Sequence, residues 1–298
     1  MIYLSLAIAT YNRAEQLMTT LASVALQRAS CHRWECIVVD NNSTDNTRER
    51  VEQFIASHPE LSITYHFEPQ QGLSHARNAA IERAKGNVIA FIDDDERIAE
   101  DFVGGYIELF ENYPDAISAG GPIIAEYPEG RPRWMSHYTE QPIANPMYFG
   151  ERIRLFPSHR IPGGGNMAIR REALELVGKF NPLLGRNGKR LIGGEESDLF
   201  ERLRAHAMRC YYVPKAVMYH IIGSEKLNED YFCRLAYNTG VSQRSRAELH
   251  HRLLSLYLFE AFKWVATLLL CLVHRPIQSY YLLRMRYHIS RGILNGTK

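Results

Sequence analysis

Val88-Ile89-Ala90-Phe91-Ile92-Asp93-Asp94-Asp95 sets a short apolar run directly against three carboxylates. A run this brief, with β-branched residues at three of its five apolar positions, predicts a buried strand over 88–92 that ends at the acids. Three earlier runs have the same character, at 3–9, 35–39 and 62–67. Helical periodicity separates them, over 14–27, 47–57 and 73–84, and Asn42-Ser43-Thr44-Asp45 supplies N-cap residues ahead of the second helix. Strand–helix alternation predicts an α/β fold with a mostly parallel central sheet flanked by helices. Ligands of such sheets bind outside the carboxyl ends of the strands. Three of these ends are polar: Thr10-Tyr11-Asn12, Asp40-Asn41-Asn42 and Asp93-Asp94-Asp95.

Beyond Asp101 the pattern predicts a helix to residue 113 and a strand within 116–125. Residues 128–162 are rich in Pro and aromatics without a clear period, which predicts a long ordered loop region. Gly163-Gly164-Gly165-Asn166 opens a strand-to-helix passage ending near 177. A helix follows over 196–207, then apolar runs at 210–213 and 216–219. Residues 253–273 are long enough to span a bilayer, but Glu260, Lys263 and Thr267 follow helical spacing and mark one polar stripe. A charge near the middle of a span costs roughly 2.5–3.5 kcal/mol, so the spacing predicts an amphipathic helix that lies in a membrane surface or packs against the main domain or a second subunit. Tyr280, Tyr281 and Tyr287 mix with Arg284, Arg286 and Arg291 in the next stretch, as a headgroup-facing surface would require.

The net charge of +2 over 298 residues gives no support to a nucleic-acid binder. Residues 261–298 hold six Lys/Arg and no Asp or Glu, leaving 29 basic against 33 acidic groups in the rest. The five cysteines, Cys31, Cys36, Cys210, Cys233 and Cys271, lack C-x-x-C spacing and read as idle thiols of a reducing cytosol, not as a zinc site. The first ten residues lack a basic n-region and read as a buried strand, not a signal peptide.

Three carboxylates at a buried strand end repel one another. A hard divalent cation compensates them directly; a solvated acidic turn capping the next helix is the alternative. Asp40 is placed to accept hydrogen bonds from a ribose or base, and Tyr11 to stack on a base. Arg77, in Gly72-Leu73-Ser74-His75-Ala76-Arg77-Asn78, is placed to meet either the Asp cluster or a diphosphate. A late acidic group, Glu195-Glu196-Ser197-Asp198, reads either as a proton acceptor or as acids suiting a helix N-terminus.

Taken in order, Ala9-Thr10-Tyr11-Asn12-Arg13, Val39-Asp40-Asn41-Asn42-Ser43-Thr44-Asp45, the segment 72–78 and Phe91-Ile92-Asp93-Asp94-Asp95 resemble the large inverting glycosyltransferase family 2, with its GT-A fold, over roughly residues 1–240. The resemblance implies a nucleotide held by Thr10, Tyr11 and Asp40, with Arg13, Arg77, Asp93 and Asp94 beside it. It implies an Mn²⁺ or Mg²⁺ site at Asp93 and Asp95, with Asp95 the direct ligand and His220 a further candidate. Gly193-Gly194-Glu195-Glu196 is similar to the family's Gly-Gly-Glu-Asp segment. Glu196 then stands where the catalytic base is an Asp, with Glu195 and Asp198 as competitors. The loop at Gly164, Gly165 and Asn166 would face the acceptor, Trp134 would stack on a sugar, and Lys226 would be a weaker diphosphate candidate. Asn41-Asn42 departs from the family pattern, where many members have an Asp and a Gly.

The resulting expectation is a transferase domain over 1–240, with a nucleotide-binding half (1–100) and an acceptor-side half (101–240). Residues 241–298 form a helical tail. A UDP-sugar donor, a glycan or lipid-linked acceptor and a peripheral position on the cytoplasmic membrane face complete it. A nucleotidyltransferase would need a Gly-rich phosphate loop where Thr10-Tyr11-Asn12-Arg13 stands. A glycoside hydrolase uses two carboxylates without a nucleotide site. An idle sugar-nucleotide-binding protein is the third rival.

Overall fold

The computed structural model describes residues 3–30, 32–187 and 193–296. Met1, Ile2, Cys31 and Lys298, read above, lie outside them. The chain forms two compact units: 1–124, 147–183 and 195–221 in the first, and 125–146, 184–194 and 222–298 in the second.

In the first unit, β1 (Leu4–Thr10), β2 (Trp34–Asp40), β3 (Ile63–Phe67) and β4 (Val88–Asp93) run parallel, in the order β3-β2-β1-β4. Helices α1 (Ala14–Ala25), α2 (Thr47–Ser57) and α3 (Leu73–Arg83) connect them. The chain continues through β5 (Glu96–Ile98), α4 (Phe102–Asn112), β6 (Ala116–Gly120), β7 (Ile123–Glu126), α5 (His137–Ala144), β8 (Arg154–Leu155), β9 (Met167–Arg170), α6 (Arg171–Val177), α7 (Glu195–Ala205), β10 (Arg209–Tyr212) and β11 (Met218–Ile221). Strand β9 lies antiparallel between β4 and β6, and β10 and β8 complete an eight-stranded sheet. A smaller sheet has the order β5-β11-β7.

The period-two pleat of the strands sorts their side chains to two faces. Leu4, Leu6, Ile8, Val38 and Ala90 pack with Leu17 and Leu21 of α1 and Tyr106 of α4. Ala7, Ile37, Val39 and Phe91 pack with Ala76 and Ala80 of α3 and Leu199 of α7. Both faces are therefore covered, and the polar strand ends are left as the place for a ligand.

Two expectations need correction. The strand within 116–125 is two strands, broken at Gly121-Pro122, because a Cβ on Gly121 would fall 2.0 Å from the Ala216 carbonyl oxygen and Pro122 cannot donate to a ladder. The loop region 128–162 contains helix α5, started by a capping box: Thr139 N–H donates to Ser136 Oγ, and Ser136 N–H to Thr139 Oγ1.

In the second unit, α8 (Glu229–Leu249), α9 (Leu253–Cys271) and α10 (Pro276–Asn295) pack with α5 around Phe232, Leu235, Leu282, Met285 and Ile289. By length and composition, α9 alone among the described helices is long and apolar enough to cross a membrane. Its polar stripe faces α10 of the same unit. Glu260 and Thr267 are buried, and Arg286 of α10 donates to both Glu260 oxygens at 3.3 and 3.1 Å, while Ser290 Oγ donates at 2.7 Å. The stripe turns inward because α10 supplies its partners, and the apolar side of α9 is the exposed one.

Candidate active site

The end of β1 and the end of β4 meet through the second aspartate. Thr10 Oγ1 donates to Asp94 Oδ2 at 2.8 Å, and Arg13 Nη1 bridges Asp94 at 2.9 Å and Asp95 at 3.0 Å. Asp94 is buried, and burial pushes its carboxyl up to about 6 against the pull of Arg13, with Asp95 adding to the rise. Asp93 is the exposed member of the triplet, its side chain 38% accessible. Its own N–H is held by Glu96 Oε2 at 2.9 Å. Two guanidiniums, Arg13 and Arg77, thus offset the repulsion among the three acids.

Arg77 sits on α3, almost wholly buried, its guanidinium 5.4 Å from the centre of the Phe180 ring. Asn78, the next residue, pins that ring's backbone by donating to the Phe180 carbonyl and accepting from its N–H, both at 2.9 Å. From there Arg77 Nη2 reaches Asp93 at 3.1 Å, while Nη1 reaches Glu195 at 3.1 Å and Glu196 at 3.0 Å. One side chain therefore joins the acidic end of β4 to the first turn of α7, although α7 begins more than a hundred residues later. Arg13 and Arg77 are both held above the ordinary arginine value by these carboxylates, despite the opposing effect of burial.

The two glutamates on Arg77 differ in environment. Glu195 is buried, its side chain 2% accessible, and its Oε2 has no hydrogen-bond partner among the described residues. Burial and the neighbouring Glu196 charge push it up to about 8, although Arg77 pulls the other way. Glu196 is 21% accessible. Burial opposes its ionisation, but Arg77 outweighs it and holds the carboxyl below its usual value. The same surroundings thus push the two carboxyls in opposite directions, the more accessible Glu196 toward its charged form and Glu195 toward its protonated one. Asp198, the third candidate, is buried and paired with Arg202 one turn along α7 at 2.9 Å.

The glycine loop lies against these acids. A Cβ on Gly164 would fall 2.0 Å from Glu196 Oε1 and 2.9 Å from Arg77 Nη2; one on Gly165 would fall 2.1 Å from Glu96 Oε1. Only glycine permits that approach. Asn166 is fully buried: it donates to the Pro122 and Ala216 carbonyls, both at 2.9 Å, and accepts from Tyr106. It shapes the loop rather than its surface. Trp134 belongs to the second unit, where it stacks on Tyr281 at 4.4 Å and packs on Phe232. Lys226 is also in that unit, and buried.

At the end of β2, Asp40 is buried, and its two oxygens accept from Ser43 N–H at 2.9 Å and Tyr65 Oη at 2.8 Å. Tyr11 stands exposed between the buried Thr10, which pairs in register with Asp40, and the left-handed Asn12 (φ 52°). His220 is paired in register with Glu96, and the next residue's N–H bonds the Asp95 carbonyl at 3.4 Å. Strand β11 thereby brings an imidazole alongside the acidic triplet. Carboxylate oxygens with one imidazole are donors that suit Mn²⁺ or Mg²⁺. Among the described residues, no three His, Cys, Asp or Glu form a ready-made cage. A cation that completes its shell with diphosphate oxygens fits such a partial donor set.

Sequence reading missed two contributors. Glu96 directly follows the triplet, and its position was the available signal. Asn41 ties β2 to the start of α3, donating to the Gln70 carbonyl and accepting from Gly72 N–H, both at 2.7 Å. Only its place after Asp40 hinted at that role.

Residues 5–178, more than half of the chain, match the model of glycosyl transferase family 2. The chain belongs to that family. The succinoglycan biosynthesis protein ExoM of Rhizobium meliloti (strain 1021) is 25% identical over 256 residues, covering 85% of this chain and 78% of the relative. The glucosyl-dolichyl phosphate glucuronosyltransferase of Haloferax volcanii is 24% identical over 244 residues, covering 80% and 76%. Among solved structures, the mannosyltransferase PcManGT of Pyrobaculum calidifontis, in complex with GDP-Man and Mn²⁺, superposes with a TM-score of 0.65 at 18% identity, covering 98% of this chain and 86% of that one. The fold is GT-A, as expected. The protein is a glycosyltransferase, which sets aside the hydrolase and nucleotidyltransferase readings.

Proposed function

We propose that this glycosyltransferase moves a sugar, with inversion, from a nucleoside-diphosphate donor to an acceptor hydroxyl in surface-polysaccharide assembly at the cytoplasmic membrane face. A UDP-sugar is the donor we favour on the family resemblance, and a glycan or lipid-linked hydroxyl the acceptor. The observation that carries the reading is the Arg77 fork, which puts an ionised, accessible Glu196 in one site with the acidic end of β4.

Glu196 takes the proton of the acceptor hydroxyl as that oxygen attacks the anomeric carbon. The bond from that carbon to the diphosphate oxygen breaks on the opposite face, and the nucleoside diphosphate leaves with the electron pair. Arg77 holds Glu196 in its charged form and in place. The lack of a side chain at Gly164 lets the loop lie directly against the same carboxylate. In this reading residues 1–100 hold the nucleotide through Thr10, Tyr11 and Asp40, and 101–240 serve the acceptor side. Asp95, with Asp93 or His220 as a second donor, would hold a divalent cation, which when bound stabilises negative charge on the departing diphosphate.

The test is nucleoside diphosphate release by Glu196→Gln and Glu195→Gln with donor and acceptor supplied. Loss of a general base costs typically 10²–10⁴-fold, so Glu196→Gln should fall by about that factor while Glu195→Gln falls far less. A Glu196→Gln enzyme at the wild-type rate, or a wild-type protein that binds donor and releases nothing, would sink the reading; the second result would mark an idle sugar-nucleotide binder.

A further inference from the structure

We infer that the outward face of α9 seats on an anionic lipid surface, with the helix lying along the headgroup plane. This goes beyond the transferase chemistry and does not depend on it. No exposed side chain of α9 is charged. Leu258, Phe262, Val265, Leu268 and Leu269 are each more than half exposed on this helix. A helix of 19 residues is about 28 Å long, and isolated soluble domains rarely present so continuous an apolar strip. The inverted polarity described above is the opposite of what water alone selects: Glu260 and Thr267 are sealed under Arg286, Ser290 and Trp264.

The charges around the strip identify the occupant. Arg252, just before α9, and Arg275, just after it, are both exposed. Residues 261–298 hold no Asp or Glu, and the last acid before them, Glu260, is already neutralised by Arg286. An apolar strip with an arginine at each end fits acyl chains below and phosphate headgroups at the rim. A second copy fits it less well, because a two-fold antiparallel pairing of α9 would set the Arg252 end of one helix against the Arg275 end of the other. Crossing the bilayer is disfavoured by α10, which packs along α9 and carries Arg284, Arg286, His288 and Arg291.

The experiment is co-sedimentation of the full chain with phosphatidylcholine vesicles, with and without phosphatidylglycerol. It compares the wild type with a Phe262→Glu/Leu269→Glu variant, both positions being exposed and outside the core. The wild type should bind the anionic vesicles about thirtyfold more tightly than neutral ones, the scale that two interfacial arginines supply. The variant should lose binding while keeping its helical circular dichroism. Three results overturn the inference: no binding by the wild type, equal binding by the variant, or a wild-type dimer that the variant dissociates. Resistance of the bound wild type to alkaline carbonate extraction would also overturn it, in favour of a span. Nucleoside diphosphate release by the same two proteins reports separately on the proposed function.

Discussion

Glu195 and Glu196 are chemically identical neighbours on one helix turn, and the fold gives them opposite environments. The nearly sealed Glu195, whose Oε2 has no partner among the described residues, is pushed toward its protonated form; the more open Glu196, on the same guanidinium, is held toward its charged form. This has a consequence for stability. Glu195 is raised from 4.5 to about 8, so between those values the folded state binds a proton that the unfolded chain has released. Stability attributable to this residue is therefore fully present at acid pH and falls as pH rises through that window. Glutamine is nearly isosteric and has no proton to lose. Glu195→Gln should gain stability relative to wild type steadily from pH 5 to pH 8, read as the difference between urea midpoints. Parallel curves for the two proteins would show that Glu195 is ionised in the fold after all. The choice of base was not legible in the sequence, where Glu195, Glu196 and Asp198 are three acids in four residues. Burial, the reach of Arg77 and the engagement of Asp198 by Arg202 distinguish them, and all three are tertiary facts.

Elements differ in how much of their structure a local pattern can carry. The inner parallel strands β1, β2 and β4 were legible because they are buried along nearly their whole length and read as short apolar runs; all seven residues of β2 are buried, whereas the edge strand β3 is mostly half-buried. Helix α5 was hidden by Pro142 and by its brevity, although Ser136 and Thr139 held the capping signal. The inward turn of the α9 stripe was hidden because periodicity locates a polar face without saying what it meets. The crossing of α8 and α10 belongs to the same class. Gly240 and Gly292 face each other there, and a Cβ on either would fall 2.0 Å from a backbone carbonyl oxygen, of Ile289 and Tyr237 respectively. Gly240→Ala should therefore destabilise the protein by about 1–3 kcal/mol, the usual cost of overpacking. Gly104 in α4 is the control: its added Cβ meets nothing within 4 Å, so Gly104→Ala should stabilise by about 0.5–1 kcal/mol through helix propensity. Denaturant melts decide both, and a Gly240→Ala protein as stable as wild type would mean the two helices have room to part.

Across the whole molecule, the residues of the proposed chemistry come from one unit: Thr10 and Arg13, Arg77, Asp93 to Glu96, Gly164 and Gly165, Glu195 and Glu196, and His220. The apolar strip of α9 belongs to the other. The meeting of the polar strand ends was legible because a parallel sheet must deliver its strand ends to one edge. Glu196 was reachable only through resemblance, since no local pattern links residue 77 to residue 196. If the division holds, donor binding and lipid binding are separable properties. With UDP or GDP at about a hundred times its dissociation constant, a one-site ligand adds about 2.7 kcal/mol to folding, which reads as a rise in Tm. That rise should require Mn²⁺ or Mg²⁺ and be reversed by EDTA, because Arg13 and Arg77 are already engaged by the acidic triplet and leave a diphosphate beside it uncompensated. Asp95→Asn should lose most of the metal-dependent part. Phe262→Glu/Leu269→Glu should keep all of it, even as vesicle binding disappears. An equal rise in EDTA would remove the cation from the donor site, and a rise abolished by the α9 variant would show that the two units do not act independently.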